Sequence, residues 1–286
     1  MTSIENMTVP ECPPLKIADT AQGWISYREK GEGQTLLFLH GNLGSSRSWA
    51  FQLADFSGSW RTVAWDAPGY GQSDDQAIDI DAYVAALAAF LEAIGGAPVV
   101  LVGHSMGGTV GARFAALHPD RVSALVLSCS HPGYGEPESA PMSEKFEKRM
   151  EELKQFDKDA YGFARARDLL PGFDERSPVF RYAAEVAGET RPEGLRRASR
   201  MLQLADNRPL MFRLRGPILI LTGGIDQVVA PRLKADLLAG VPRARHVEMP
   251  ELAHAPYFQA PEYYDGLIRE FLAGGFNETH ETGEKP

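Results

Sequence analysis

The chain has 286 residues, of which 44% are hydrophobic and 23% are charged, a balance typical of a folded globular protein rather than a disordered or fibrous one. The net charge of −9 and the lack of a Lys/Arg-rich run disfavour nucleic acid as a partner, because a phosphate backbone would be repelled. Two distant cysteines, no signal-peptide pattern and no apolar run of membrane-spanning length predict a soluble cytoplasmic protein without a disulfide framework or membrane contact.

Strand and helix signals alternate along the first half of the chain. Short β-rich apolar runs predict strands at 24–27, 35–39, 61–65, 98–103 and 124–127. Stretches between them predict helices at 81–94 and at 106–118, the second ending before Pro119. This is the order of βα units, so the sequence predicts an α/β fold with a mostly parallel central sheet flanked by helices.

Strand signals stop after residue 130, and charged helical segments such as 143–156 and 192–205 take their place. The βα pattern returns with strands at 217–222 and 244–248 and helices near 232–238 and 261–272. We therefore predict one α/β core formed by 1–130 and 216–273, an inserted helical cap formed by 131–215, and a flexible polar tail over 274–286.

The strongest chemical signal is the motif GHSMGG at 103–108, which lies between an apolar strand-like run and a helix-like stretch. A G-x-S-x-G motif in this setting forms a sharp turn whose strain lifts the serine hydroxyl into the open. Bulky side chains at Gly103 or Gly107 would clash in such a turn. The motif therefore predicts Ser105 as a nucleophile.

A serine hydroxyl needs a general base, and the base needs a carboxylate that orients it. Asp226 follows the predicted strand in GPILILTGGID, and His254 lies in the loop ELAHAP before the final helix. Their order along the chain, Ser then Asp then His, is that of a known triad arrangement. The sequence thus predicts a catalytic triad of Ser105, Asp226 and His254.

The segment HGNLG at 40–44 directly follows a predicted strand and can bring a backbone N–H to the reacting carbonyl. We predict that the backbone N–H groups of Asn42 and Met106 form an oxyanion hole, aided by the positive end of the helix that begins near Met106. His40 and His104 flank this loop and the serine turn, and we interpret them as hydrogen-bonded orienting residues.

Together the motifs HGNLG, DAPGYGQSD, GHSMGG, GGIDQVV and AHAPYFQAPE resemble those of the α/β-hydrolase family, over nearly the whole chain after about residue 23. The resemblance implies the α/β-hydrolase fold and a serine hydrolase that forms an acyl-enzyme. It also implies that the segment around Asp66 shapes the loops about the site without donating a proton. Dehalogenases and epoxide hydrolases of this family have Asp where this chain has Ser105, so both activities are disfavoured.

The segment RPEGLRRASRMLQLAD is similar to that of bacterial enol-lactonases and small-molecule esterases, which implies a small carboxylic ester or lactone as the substrate. No cofactor is implied, and no cluster of His, Asp and Glu has the spacing of a metal site. Two alternatives stay open: a carbon–carbon bond hydrolase or other cofactor-free reaction on the same scaffold, and a ligand-binding receptor with a slow triad. The oligomeric state stays open as well.

Residues of the predicted cap are candidates for the substrate pocket. His131 lies where the chain leaves the sheet for the cap, and we predict that it binds substrate. Arg165 and Arg167 could meet a substrate carboxylate, but charged residues on a helix usually face water, so we predict solvent exposure for both.

Overall fold

The structure is a computed structural model that describes residues 7–75, 77–96 and 98–274. Its strands are, in chain order, Lys16–Thr20 (β1), Gly23–Lys30 (β2), Thr35–Leu39 (β3), Arg61–Trp65 (β4), Val99–His104 (β5), Val122–Ser128 (β6), Ile218–Gly223 (β7) and Arg245–Met249 (β8). They form one sheet in the spatial order β1-β2-β4-β3-β5-β6-β7-β8. The β1–β2 and β2–β4 pairs are antiparallel and the other pairs are parallel, which confirms the predicted mostly parallel sheet.

Helices flank this sheet. They are Ala50–Asp55 (α1), Ile80–Ala93 (α2), Met106–Leu117 (α3), Glu144–Gln155 (α4), Lys158–Leu169 (α5), Pro178–Gly188 (α6), Pro192–Leu204 (α7), Pro231–Gly240 (α8), Pro256–Gln259 (α9) and Pro261–Gly274 (α10). Among the described residues, no helix is both long and apolar enough to cross a membrane. The predicted tail over 274–286 lies outside the described residues except for Gly274.

Successive side chains of the central strands pack on opposite faces of the sheet. In β3, Leu37 belongs to one apolar core together with Val110 of α3, whereas its neighbours Leu36 and Phe38 belong to the core on the other face. Because both faces are covered, β5 is buried along its whole length, and its sequence is a continuous apolar run rather than an alternating one. Strands β3 to β8 run in the same direction, so their carboxyl ends lie at the same edge of the sheet.

The predicted strands and helices of the core occur in the structure with small differences at their ends. The edge strand β1 was not predicted. Only Ala18 of β1 is buried, and Ile17 is exposed, so this strand has almost no apolar signal. The short helix α1 was missed as well, because it directly follows a 3₁₀ helix at Ser46–Trp49 rather than a strand and spans less than two turns.

Helices α4 to α7 lie between β6 and β7, in the segment for which the sequence predicts a cap. Helices α5 and α6 pack closely because Gly162 has no side chain, and a Cβ there would overlap the backbone oxygen of Ala184. Helix α7 approaches the loop after β4 in the same way, since a Cβ at Gly194 would overlap the Gly69 oxygen. The division of the chain into core and cap stays a prediction.

Candidate active site

Ser105 occupies the turn between β5 and α3. Its backbone has a φ of +50° and a ψ of −116°, a conformation that residues with a side chain rarely adopt and that costs free energy. Two hydrogen bonds hold it: the Ser105 N–H donates to the Ser128 oxygen (2.9 Å), and the Ser130 hydroxyl donates to the Ser105 oxygen (2.8 Å). The strained turn therefore presents Ser105 at the carboxyl edge of the sheet.

Glycines let the elements around Ser105 approach closely. A Cβ at Gly103 would lie 2.5 Å from the Gly108 Cα, and a Cβ at Gly107 would overlap the Leu39 carbonyl oxygen. A side chain at either position would push α3 away from β5 or β3. The two glycines thus set how deeply α3 packs on the sheet, and with it the position of Ser105.

Asp226 lies in the loop after β7 and His254 in the loop after β8, and the structure brings their side chains together. His254 Nδ1 lies 2.9 Å from Asp226 Oδ2, while Asp226 Oδ1 accepts the backbone N–H groups of Val228 (2.7 Å) and Val229 (3.2 Å). Burial raises the pKa of the Asp226 carboxyl, but the hydrogen bond and charge of His254 and the two backbone N–H groups outweigh it, so the pKa is lowered overall. The carboxylate therefore stays charged and favours the tautomer in which His254 Nδ1 is protonated and Nε2 is free to accept a proton.

The loop that carries His254 is held from two sides. His104 Nε2 donates to the His254 backbone oxygen (2.7 Å), and the two imidazole centroids lie 4.7 Å apart. On the other side, the Ala253 N–H donates to Gln259 Oε1 (2.6 Å). Burial, with a smaller contribution from the His254 charge, lowers the pKa of His104 well below its usual value, so His104 stays neutral. The geometry fits the interpretation of His104 as an orienting residue, and Gln259 is a further one that the sequence analysis missed.

The loop 40–44 lies directly against the serine turn. A Cβ at Gly41 would lie only 3.3 Å from the Ser105 Cβ, and Asn42 lines the same cavity as Ser105. Met106 is the first residue of α3, where backbone N–H groups have no acceptor within the helix. The structure thus places both Asn42 and Met106 beside Ser105, and their role as oxyanion donors stays a prediction.

Tyr70 fixes the Asn42 residue, a contact that the sequence analysis missed. The Tyr70 hydroxyl lies within hydrogen-bonding distance of the Asn42 backbone oxygen (2.9 Å) and of Asn42 Oδ1 (2.7 Å), and Asn42 Nδ2 donates to Ser199 Oγ (3.2 Å). Burial raises the pKa of Tyr70 well above its usual value, so the phenol keeps its proton and remains a donor. A tyrosine in the motif DAPGYGQSD was the available signal, but only the folded chain shows what it contacts.

His40 and Asp66 have structural contacts around this loop. The Ala67 N–H donates to His40 Nε2 (3.0 Å), while His40 Nδ1 faces the Gly41 oxygen (2.8 Å), an arrangement that uses both ring nitrogens. Asp66 accepts the Ser26 hydroxyl at 2.6 Å. Both residues therefore brace the loops beside the site, as expected.

A small cavity of about 40 Å³ adjoins Ser105 and is also lined by His131 and His254. The Gly133 N–H donates to His131 Nδ1 (3.1 Å). Burial, with smaller contributions from the charges of His254 and Lys145, lowers the pKa of His131 to about 3, so its ring is neutral at neutral pH. The structure places His131 at the pocket, and its binding of substrate stays a prediction.

Helix α4 presents two basic residues to this cavity that the sequence analysis did not single out. Lys145 and Arg149, one turn apart, both line it. The predicted solvent exposure of Arg165 is wrong, because its side chain is buried and forms an ion pair with Glu152 at 2.9 Å. The side chain of Arg167 is exposed as predicted.

Cys129, Asp226 and His254 are close enough to be considered as a metal site, since one ligand atom from each lies within 4.8 Å of the others. The Asp226 carboxylate and His254 Nδ1 are, however, already hydrogen-bonded to each other. Burial also raises the pKa of the Cys129 thiol, which opposes the thiolate form that a metal needs. The three side chains are therefore unsuited to a metal ion, and the Asp226–His254 pair fits the acid and base of a catalytic triad better.

Comparison with known proteins bears on the family and the fold of this chain. The family described as alpha/beta hydrolase fold matches residues 34–261 of the chain. The pimeloyl-acyl-carrier-protein methyl ester esterase of Neisseria meningitidis is 30% identical over 235 residues, which cover 77% of this chain and 70% of that protein.

Solved structures share the fold at lower identity. The enol-lactonase from Burkholderia xenovorans has a TM-score of 0.79 and 22% identity, covering 90% of this chain and 100% of that chain. A thermophilic esterase from Thermogutta terrifontis has a TM-score of 0.79 and 23% identity, covering 92% of this chain and 100% of that chain. At these identities the similarity concerns the fold alone.

Proposed function

This chain belongs to the alpha/beta hydrolase fold family, and on that premise we propose that it is a serine hydrolase that cleaves a small carboxylic ester or lactone through an acyl-enzyme intermediate. The chain is a hydrolase acting on ester bonds, the class that its meningococcal relative has by name. The serine mechanism and the small ester or lactone substrate are our proposal.

One observation carries this proposal. Ser105, in a strained turn, lines the same cavity as His254, whose Nδ1 is hydrogen-bonded to a carboxylate at 2.9 Å. Strain of this kind persists only where the surrounding structure enforces it, and it is common at reactive residues. A serine, an imidazole and a buried carboxylate in this order supply a nucleophile, a base and a group that orients the base.

The proposed reaction has two halves. His254 Nε2 takes the Ser105 proton while the Ser105 oxygen attacks the carbonyl carbon, and the backbone N–H groups of Asn42 and Met106 stabilise the resulting oxyanion. His254 then gives the proton to the leaving alkoxide, and an acyl-enzyme remains. Water activated by the same imidazole attacks the acyl carbon, releases the acid and restores the Ser105 hydroxyl, while Asp226 stabilises the transient imidazolium.

We further propose that residues 131–215 act as a cap over this site. The cavity is lined not only by residues of the sheet edge but also by Tyr134, Phe146 and Leu202 from the segment between β6 and β7. Its volume of about 40 Å³ has room for only a few waters. A substrate of ester size therefore requires the cap helices to move apart from the core.

Labelling with a fluorophosphonate, followed by peptide mass spectrometry, tests the nucleophile. The wild type should be modified at Ser105, and Ser105→Ala should be unlabelled while its circular dichroism stays unchanged. Modification at another serine, or equal labelling of Ser105→Ala, would contradict the proposal. Ser46→Ala, at a nearby buried serine, is the matched control and should be labelled as the wild type is.

Turnover of a neutral aryl acetate separates the proposed enzyme from the alternatives. Steady, Ser105-dependent release of acetate is expected. Stoichiometric binding without turnover would instead support a ligand-binding receptor. Ser105-dependent cleavage of a diketone, without turnover of the aryl acetate, would support a carbon–carbon bond hydrolase.

A further inference from the structure

Arg149 is a buried cation without a partner. Only 7% of its surface is exposed, and it lines the cavity that contains Ser105. In the part of the chain that the structure describes, its guanidinium makes no hydrogen bond and no ion pair. A guanidinium stays charged at any ordinary pH, and a charge that is removed from water without a partner is costly.

The nearby carboxylates do not form an ion pair with Arg149, because they are already paired with Arg165. Arg165 forms ion pairs with Glu152 (2.9 Å) and with Asp168 (3.0 Å). Burial, followed by the charge of Arg165, lowers the pKa of Arg149, and the charge of Asp168 only partly offsets this. Arg149 therefore lies in an environment that disfavours its charge as long as the cavity holds no anion.

Lys145 adds a second cation on the same face of α4. Its ammonium donates to the Val228 oxygen (3.0 Å), which leaves two of its three hydrogens for other acceptors. Burial lowers the pKa of Lys145, with the charge of Arg149 as the next contribution. Among the described residues, no Asp or Glu lines the cavity, so the ordinarily charged side chains in its wall, Lys145 and Arg149, are both basic although the whole chain carries −9.

The two cations also face a second space. A neighbouring pocket of about 240 Å³ is lined by Lys145, Arg149 and Val228 and also by Arg167 and Asp168. Lys145 and Arg149 thus line both this pocket and the cavity at the nucleophile.

We propose that the substrate carries a free carboxylate that Arg149 and Lys145 bind, so that the chain prefers half-esters of dicarboxylic acids, or lactones that bear a carboxylate, to neutral esters. This inference rests on the proposed function at Ser105. The planar fork of a guanidinium binds both oxygens of a carboxylate, and the Lys145 ammonium adds a third hydrogen bond. A carboxylate is also small enough for the narrow space beside the nucleophile.

Paired substrates test the inference. We would measure kcat/KM per ester group for the methyl half-esters of succinate, glutarate and adipate and for the neutral dimethyl esters of the same acids. The wild type should prefer the half-ester at one of these lengths by at least about 10-fold, and Arg149→Met should reduce that preference by roughly 10- to 100-fold, the range for a hydrogen-bonded charge. Lys148→Met removes the same charge from the same helix at a side chain that is 78% exposed, and should keep the wild-type preference.

Binding provides a readout that does not need turnover. In Ser105→Ala, calorimetry should show that the monoamide of the preferred dicarboxylic acid binds more tightly than the neutral diamide, and that adding Arg149→Met removes the difference.

Should Arg149→Met fail to fold, Lys145→Met serves for both measurements. Equal kcat/KM for half-ester and diester alongside Ser105-dependent cleavage of aryl acetate would overturn the inference and leave the proposed function standing. Arg149-dependent binding of the monoamide without cleavage of any ester would overturn the function and leave the anion site standing.

Discussion

His104 and His254 are linked by a hydrogen bond from the His104 Nε2 to the His254 backbone oxygen, 2.7 Å long. His104 is the last residue of β5 and immediately precedes Ser105, so one side chain connects the nucleophile's turn to the loop of the proposed base. The bond fixes the His254 backbone rather than its ring. His104 is therefore a positioning residue, whose loss should affect the alignment of the reacting groups.

His104→Ala should lower kcat about 10-fold or more with little change in KM, because a small displacement of the base slows proton transfer more than it weakens binding. Steady-state kinetics with an aryl acetate measure this split. His104→Asn, whose amide can still donate, should recover part of kcat. His118→Ala, at the far end of α3, is the control and should behave as the wild type does. A purely structural role would lower the melting temperature and leave kcat of the folded fraction unchanged.

Asp226→Asn should preserve the fold and lower the rate on the order of 10⁴-fold, because an amide favours the wrong tautomer of His254. Positions 128–130, at the neighbouring strand end, are Ser, Cys and Ser and offer no replacement carboxylate. The Cys129 thiol does lie within 4.8 Å of the Asp226 and His254 ligand atoms. Asp226→Asn combined with Cys129→Asp should therefore recover at least about 10-fold of the loss, since Asp tolerates the positive φ at this position. Full activity of Asp226→Asn alone would assign the acid to another residue.

The rate of hydrolysis should rise with pH along a single basic limb, because only a neutral imidazole can accept the Ser105 proton. The two neighbouring imidazoles do not produce this limb, because burial lowers the pKa of His131 to about 3 and that of His104 well below its usual range. The Asp226 carboxyl, with a lowered pKa, is already charged. A pH–rate profile of acylation in single-turnover experiments checks this. A flat profile with chemistry shown to be rate-limiting would remove His254 from the mechanism.

Asp265 on α10 should make the protein less stable as the pH rises. Burial raises the pKa of its carboxyl to about 7, although the hydrogen bond from the Gln52 amide (3.0 Å) opposes the shift. An unfolded chain has an Asp pKa of about 3.9, so between about pH 4 and 7 the folded state holds one more proton than the unfolded state. The free energy of unfolding therefore falls through this window, by at most about 4 kcal/mol.

Asp265→Asn should abolish this dependence, because the amide stays neutral, and should raise the free energy of unfolding at about pH 8 relative to the wild type. Urea denaturation at about pH 5 and pH 8 measures both effects. Asp120→Asn, at an exposed carboxylate, should leave the wild-type dependence in place. The same pH dependence in Asp265→Asn as in the wild type would show that Asp265 is charged in the folded state.

Features of the site that depend on residues close together in the sequence were predictable from the sequence. The turn at Ser105 needs glycines at 103 and 107, and the buried strand before it needs an apolar run, so the whole signal lies within a dozen residues. Asp226 and His254 each follow a strand that ends at the same edge of the sheet. Their loops therefore meet once the strands pair in parallel. The order of the strands along the chain was sufficient to predict that these two residues would lie close together.

The sequence by itself thus determined the α/β class and the strand ends that carry Ser105, Asp226 and His254. Only the tertiary structure decided which charges find partners: Arg165 is buried with Glu152, whereas Arg149 faces the cavity alone. The reason is that α4 and α5, which carry Arg149 and Arg165, each have charged residues on more than one side, and a helix of this composition has the same sequence pattern whether a given arginine faces water, a carboxylate on the next helix or a cavity. Ion pairing depends on distances between elements far apart in the chain, and those distances exist only after the helices have packed.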